Sequence, residues 1–229
     1  MTPWDSKNFK PMFAVVFYIF FLCYECFVAS FSFLLLEKSY NFKMSSIDVA
    51  FDSIPHRKVD LLLPELVVFD LDMCVWSPEM YTLSHIPGEK DIVRGSLGAY
   101  GEGVIGVKSD YEMIRLFPSA MKVLQDIYLN VYGNNLRIAV ASSADTPHAV
   151  SIGRAAMNLL EVLPGVTLRQ VIAKGWPEGF EGNIQVGRTP PLSSNKAETH
   201  FPILRRETQI AYENMIFLDD CNCKLTLPL

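Results

Sequence analysis

Acidic, hydroxyl and basic side chains follow the predicted strands of this chain in a regular order. They are Asp70 and Asp72 after the first strand, Ser142 and Ser143 after the second, Lys196 at the start of a late helix, and Asp219 and Asp220 after the last strand. Each of them alone is more typical of a cap or a turn. Because open parallel sheets bind ligands at the carboxyl ends of their strands, the four positions together predict a single site.

The chemistry that these side chains suit is phosphoryl transfer. A carboxylate that attacks a dianionic ester needs a cation between them, and several acids around one point suit a hard ion such as Mg²⁺. Asp70 could then form an aspartyl-phosphate. Asp72 could protonate the leaving oxygen and later deprotonate the attacking water. Lys196 and Ser142 could hold the remaining phosphate oxygens.

The elements that must position these residues alternate between strands and helices. The predicted strands cover 66–71, 137–142, 166–174 and 213–220, and the predicted helices cover 118–133, 147–160 and 197–208. Residues 77–110 are predicted to form a long loop that enters a hairpin at 104–116, and residues 176–195 an irregular insertion. The first strand is continuously apolar, which suits a strand buried on both faces. The pattern predicts an α/β fold with a Rossmann-like parallel sheet.

One glycine-rich stretch matches a nucleotide-binding spacing. The residues GEGVIG at 101–106 fit G-x-G-x-x-G, but they neither follow a clear strand nor open a helix. Because the fingerprint requires that context, we expect a loop entering the hairpin instead.

Four segments resemble the motifs of the haloacid dehalogenase superfamily, and within it the small eukaryotic magnesium-dependent acid phosphatases. These segments are LVVFDLDMCVWSPEMY, IAVASSADTP, SSNKAETHF and MIFLDDCN, and the likeness spans residues 63–222. The resemblance implies a Rossmann-like sheet with a minimal cap at 77–116. It also implies a role for each residue: Asp70 as nucleophile, Asp72 as general acid and base with its backbone carbonyl on Mg²⁺, Ser142, Ser143 and Lys196 as phosphate ligands, Asp220 as a direct metal ligand and Asp219 as a second ligand or its neighbour.

Three features depart from that family pattern. Cys74 stands where a threonine is common, so we expect a hydroxyl hydrogen bond to be missing. The spacing from Ser142 to Lys196 is long. The chain stops nine residues after Asp220, so we expect the closing helix and strand of the family to be missing.

The sequence divides into three predicted regions. Residues 1–43 form a hydrophobic segment, in which 12–36 carry one charge and are long enough to span a bilayer. This segment is either a membrane anchor or a spurious upstream extension, since Met44 is also a plausible start. Residues 44–62 form a linker, and 63–229 the phosphatase-like domain. We expect that domain to be cytoplasmic, and membrane-anchored if 12–36 are expressed.

Composition limits the classes of function. The net charge of −5 argues against a nucleic-acid surface, and five cysteines make no disulfide framework. The leading hypothesis is a Mg²⁺-dependent phosphatase acting on a phosphorylated small molecule or a phosphoprotein. The alternatives are an inactive truncated isoform and a non-enzymatic phospho-receiver module.

Overall fold

The structure is a computed structural model and describes residues 64–220. Its strands are β1 Leu66–Phe69, β2 Trp76–Ser77, β3 Ile92–Ser96, β4 Glu102–Ser109, β5 Glu112–Leu116, β6 Arg137–Ser142, β7 Glu161–Leu163, β8 Val166–Thr167, β9 Ile184–Val186 and β10 Met215–Leu218. Its helices are α1 Pro118–Tyr128, α2 Pro147–Leu159, α3 Leu168–Ala173 and α4 His200–Thr208. This alternation of strands and helices confirms the predicted α/β class.

The central sheet has four parallel strands in the order β10-β1-β6-β9. Strand β1 lies between β10 and β6. Phe69 pairs with Leu218 of β10 on one side and with Val140 of β6 on the other. The carboxyl ends of these three strands therefore lie side by side at one edge of the sheet.

Both faces of β1 are buried, as its continuous apolar sequence predicts. Successive side chains of a strand point to opposite faces. Val67 and Phe69 accordingly pack into the larger core with α1, α2 and α3, whereas Leu66 and Val68 pack with Phe201 and other residues of α4. All four residues of β1 are at most 1 % exposed. This double burial makes β1 a rigid support for the residues that follow it.

A second, antiparallel sheet in the order β2-β5-β4-β3 forms the segment between β1 and α1. It confirms the hairpin expected near 104–116 and extends it by β3, which lies within the predicted loop. Residues 102–106 of the glycine-rich stretch belong to β4 rather than to a strand-to-helix turn. At Gly106 an added Cβ would lie 2.7 Å from Met113 Sδ, so close side-chain packing explains the glycine.

Two predicted elements are wrong. Residues 166–174 form the short strand β8 and helix α3 rather than a third strand. Thr167 caps α3 by accepting a hydrogen bond from the Gln170 amide, and Leu168, Val171 and Ile172 bury one helical face. The fourth parallel strand is instead β9, inside the segment expected to be irregular.

Other boundaries differ by a few residues. Helix α1 ends at Tyr128 rather than near Gly133, and α4 begins at His200 rather than at Ala197. No helix among residues 64–220 combines the length and hydrophobicity needed to cross a bilayer. The predicted hydrophobic segment 12–36, the linker and the last nine residues lie outside the described part of the chain.

Asn183 attaches β9 to the rest of the core. It is fully buried, and its side-chain Nδ2 donates to the carbonyls of Ile138 at 3.0 Å and Ile172 at 3.1 Å. Its backbone carbonyl accepts a hydrogen bond from the Val140 amide. We expect Asn183→Ala to lower the free energy of unfolding by about 1–3 kcal/mol, since two interior hydrogen bonds are lost.

Urea denaturation measures this change, and Gln185→Ala is the matched control on the same strand. Gln185 is half-buried and its Nε2 makes one local hydrogen bond, to Gly182 O at 3.0 Å. Equal losses in the two variants would contradict the anchoring role of Asn183.

Candidate active site

The seven residues predicted from the sequence line one cavity at the carboxyl edge of the parallel sheet. The cavity has a volume of about 680 Å³. The predicted residues on its wall are Asp70, Asp72, Ser142, Ser143, Lys196, Asp219 and Asp220. Six of them come from the ends of β1, β6 and β10, which the parallel register places side by side, and Lys196 comes from the segment before α4.

The Lys196 ammonium bridges two of the acids. Its Nζ lies 2.9 Å from Asp70 Oδ2 and 2.8 Å from Asp219 Oδ2, and all three side chains are only about one-tenth exposed. A buried charge is costly unless it is paired. Burial alone would lower the pKa of Lys196, but the two neighbouring carboxylates outweigh it and raise that pKa. Lys196 is therefore a cation fixed between the ends of β1 and β10.

The three acids Asp70, Asp219 and Asp220 form a cluster in which one oxygen from each lies within 4.8 Å of the others. Burial raises the pKa of Asp70, although Lys196 partly opposes this shift. Partial burial, together with the charges of Asp219 and Asp70, raises the pKa of Asp220 to about 6. Lys196 therefore offsets only part of the combined effect of burial and mutual repulsion on these acids.

The donor set of this cluster fits a hard divalent cation. All of its ligand atoms are carboxylate oxygens, the set that Mg²⁺ prefers in proteins. Asp70 Oδ1 is buried and accepts no hydrogen bond from the described part of the chain. A cation bound there would satisfy that oxygen and offset the repulsion between the acids.

Asp72 lies on the cavity wall but outside the acid cluster. Its Oδ1 accepts a hydrogen bond from Trp76 Nε1 at 2.8 Å, and its Oδ2 accepts one from the Met80 amide at 3.0 Å. Burial raises the pKa of Asp72 to about 6 in spite of these two donors. A carboxyl group that titrates near neutral pH suits a general acid and base. The expected contact of its backbone carbonyl with Mg²⁺ stays a prediction.

Two serine residues at the end of β6, Ser142 and Ser143, line the cavity. Ser142 is buried, and its carbonyl accepts hydrogen bonds from the Gly187 amide at 2.8 Å and from His200 Nε2 at 3.2 Å. The Ser143 Oγ is buried without a hydrogen-bond partner among residues 64–220. This hydroxyl could therefore donate to an anionic ligand.

His200 is a supporting residue that the sequence did not reveal. It is fully buried, and burial lowers its pKa to about 4, so the ring is neutral at pH 7. The Ser142 carbonyl can only accept, so Nε2 carries the ring proton. Only the fold brings these two residues together, and no local sequence pattern signals the contact.

Cys74 replaces the expected hydroxyl with a weaker donor. Its thiol is buried and donates to Leu218 O at 3.4 Å, which connects the turn after β1 to β10. Burial raises the pKa of Cys74 well above its usual range, so the thiol keeps its proton. The hydroxyl bond is missing as predicted, and a thiol hydrogen bond stands in its place.

The mouth of the cavity contains residues that the sequence did not single out. Asp145 pairs with Arg188 at 2.5 Å, which connects the loop after β6 to the segment after β9. Tyr81 is 58 % exposed beside them. The segment 176–195, predicted as an irregular insertion, thus contributes side chains to the site.

The fold and the site define an α/β protein with an acidic pocket at the carboxyl edge of its sheet. Residues 62–226 match the family model described as acid phosphatase. The match covers most of the chain, which therefore belongs to the acid phosphatase family of haloacid dehalogenase-type, magnesium-dependent enzymes. This finding confirms the resemblance seen in the sequence. No curated protein matches the chain at a significant level.

From the acid cluster we expect Asp220→Asn to raise the melting temperature of the metal-free protein but to abolish the further rise that Mg²⁺ gives. Without divalent cation we expect the variant to melt about 2–4 °C above the wild type, since relief of repulsion of roughly 1 kcal/mol gives a shift of that size. Saturating Mg²⁺ should raise the melting temperature of the wild type but not that of the variant. Differential scanning fluorimetry measures both effects.

Glu198→Gln is the matched control for this experiment. Glu198 is an exposed acid on the cavity wall outside the cluster, so this variant should keep the full Mg²⁺ response. A Mg²⁺ response in Asp220→Asn equal to that of the wild type would contradict the proposed ligand set.

The buried neutral ring of His200 predicts a loss of stability in acid. The unfolded chain takes up a proton near pH 6.5, whereas the folded chain does so only near pH 4. The unfolded state therefore binds more protons in this window, and the free energy of unfolding falls as the pH falls from 6.5 to 4.

In His200→Gln we expect this pH dependence to be absent. Between pH 7 and pH 4 the free energy of unfolding should therefore fall by about 2–3 kcal/mol more in the wild type than in the variant. Urea denaturation across this range measures the difference. The control is His148→Gln, which changes an exposed ring and should follow the wild type. Parallel profiles for the wild type and His200→Gln would contradict the buried neutral state.

Proposed function

We propose that this chain is a Mg²⁺-dependent phosphatase that hydrolyses phosphate monoesters through an aspartyl-phosphate on Asp70. One observation carries the proposal: Asp70 is a buried member of the acid cluster, its Oδ2 pairs with the Lys196 ammonium, its Oδ1 accepts no hydrogen bond from the described residues, and it shares the cavity with Asp72. Membership of the acid phosphatase family supports phosphatase activity.

In the first step a carboxylate oxygen of Asp70 attacks the phosphorus atom. The bond from phosphorus to the ester oxygen breaks, and its electron pair stays on that oxygen, which takes the proton of Asp72. The products are an acyl phosphate on Asp70 and the free alcohol or phenol. Burial raises the pKa of Asp72 to about 6, which supplies a protonated fraction near neutral pH.

In the second step water replaces Asp70 on phosphorus. The Asp72 carboxylate takes a proton from the water as its oxygen attacks, and the bond between phosphorus and the Asp70 oxygen breaks. Asp70 returns as a carboxylate, inorganic phosphate leaves, and Asp72 is protonated for another turnover. A single acid thus serves both steps.

Three side chains have the chemistry to bind the transferred group. Lys196 offers an ammonium and Ser142 and Ser143 offer hydroxyls, which together can hold the phosphoryl oxygens. Asp70, Asp220 and Asp219 would hold Mg²⁺, which when bound supplies positive charge between the nucleophile and the dianionic ester.

The proposed substrate is a phosphorylated small molecule or a phosphoprotein. The cavity of about 680 Å³ has room for both a phosphoryl group and part of its leaving group. Its mouth is lined by exposed side chains such as Tyr81 and Arg188. Both substrate classes fit these features.

The nucleophile is tested by Asp70→Asn. We expect phosphate release from 4-nitrophenyl phosphate to require Mg²⁺ in the wild type, and to fall roughly 10³-fold or more in the variant. Asp145→Asn, which changes a cavity acid away from the reacting group, should stay within a few-fold of the wild type.

Acid quenching separates the phosphatase from a phospho-receiver. Wild type quenched in acid during turnover of an ester labelled in its phosphoryl group should give a short-lived phosphoprotein that hydroxylamine cleaves. Asp70→Asn should give none. Undiminished turnover in Asp70→Asn would refute the proposal, and a phosphoprotein that persists without turnover would favour a receiver.

A further inference from the structure

We infer that Trp76 is a positioning residue whose indole N–H holds Asp72 in the orientation needed for proton transfer to the leaving group. This inference rests on the function proposed above. It assigns to the start of the antiparallel sheet a specific part in the chemistry.

The indole of Trp76 is held in place by core packing and by its anchored backbone. Trp76 is fully buried, and its side chain belongs to the larger core. Its backbone is held by a tight turn, in which the Trp76 amide donates to Leu71 O at 3.1 Å and the Met73 amide donates to Trp76 O at 2.8 Å. Pairing of Trp76 with Leu116 of β5 completes the support.

The carboxyl group of Asp72 is held at both oxygens. The Trp76 indole donates to Oδ1 at 2.8 Å, and the Met80 amide donates to Oδ2 at 3.0 Å. Two donors on different oxygens fix the plane of the carboxyl group as well as its position. The remaining lone pairs can face the cavity, whose wall Asp72 helps to form.

The second donor is itself immobilised by packing. Met80 is fully buried against α2, where an added Cβ at Gly153 would lie 2.2 Å from Met80 Sδ. Trp76 lies on the same side of that glycine, with Cζ2 3.6 Å from the same point. The two residues that donate to Asp72 therefore pack against α2 rather than belonging to an exposed loop.

A plain alternative is that Asp72 only satisfies the indole N–H of a core tryptophan, since buried indoles usually find an acceptor. The two roles differ in their dependence on the leaving group. A misplaced general acid slows the departure of a poor leaving group far more than that of a good one, which leaves as an anion. A loss of packing alone slows all substrates equally.

The test uses the full chain with Mg²⁺ and three esters that differ in the leaving group: 2,4-dinitrophenyl, 4-nitrophenyl and phenyl phosphate. The quantity measured is kcat/KM, which reports the steps up to departure of the leaving group. For Trp76→Phe we expect a fall of roughly 10-fold or more with phenyl phosphate, a part of the 10²–10⁴-fold that general acid catalysis supplies. With 2,4-dinitrophenyl phosphate we expect a change of about 2-fold or less, since that leaving group needs no proton.

An isosteric variant separates the N–H from the volume of the ring. Site-specific benzothienylalanine at position 76 replaces the N–H with sulfur and keeps the bicyclic shape, so it should fold and show the same dependence on the leaving group. Trp176→Phe is the matched control, because Trp176 Nε1 donates to Ile138 O at 2.9 Å outside the cavity. In this control the ratios of kcat/KM among the three esters should equal those of the wild type.

Each outcome decides between the roles. In an Asp72→Asn background the change at Trp76 should add no further dependence on the leaving group, because the acid is already lost. Equal losses on all three esters, or no loss with the isostere, would overturn the positioning role while leaving the phosphatase intact. A wild type without Mg²⁺-dependent turnover would instead overturn the proposed function, and the inference with it.

Discussion

The bridge from Lys196 to two buried carboxylates is the interaction on which this site depends. The parallel register pairs Phe69 with Leu218, so the residues that follow them, Asp70 and Asp219, must end side by side. Without a cation between them, two such acids would repel each other in a medium that screens charge poorly. The ammonium, at 2.9 and 2.8 Å, neutralises part of this charge. Asp70 Oδ1, which is buried and accepts no hydrogen bond from the described residues, remains available to a further cation.

The surrounding fold divides the work of positioning between its two sheets. The parallel sheet positions the acids and the two serines, the segment before α4 adds Lys196, and the strand β1 is rigid because both of its faces are buried. The antiparallel sheet contributes chiefly through its first residue, Trp76, and the turn at Met80, which together orient Asp72. In our proposal the nucleophile and the acid are thus held by different parts of the core, joined by a few residues of chain. His200 supports the two serines by holding the backbone at the end of β6.

Much of this arrangement could be predicted from the sequence, because long apolar runs and the residues after them carry strong signals. Strands β1, β6 and β10 and the seven cavity residues follow from that pattern. Strand β9 was missed because three residues among glycines and prolines give too short a signal, and α3 was missed because its valine and isoleucine residues favour strands. Trp76 and His200 were missed because each acts through a hydrogen bond that depends on the folded geometry.

A crystal structure grown with Mg²⁺ and beryllofluoride, which mimics a phosphoryl group on a carboxylate, would test the central claim most directly. We expect beryllium bonded to an Asp70 oxygen, fluorine atoms near Lys196 and the β6 hydroxyls, and a metal ion coordinated by Asp70 and Asp220. Beryllofluoride bound away from Asp70, or a metal ion that contacts neither acid, would contradict the mechanism.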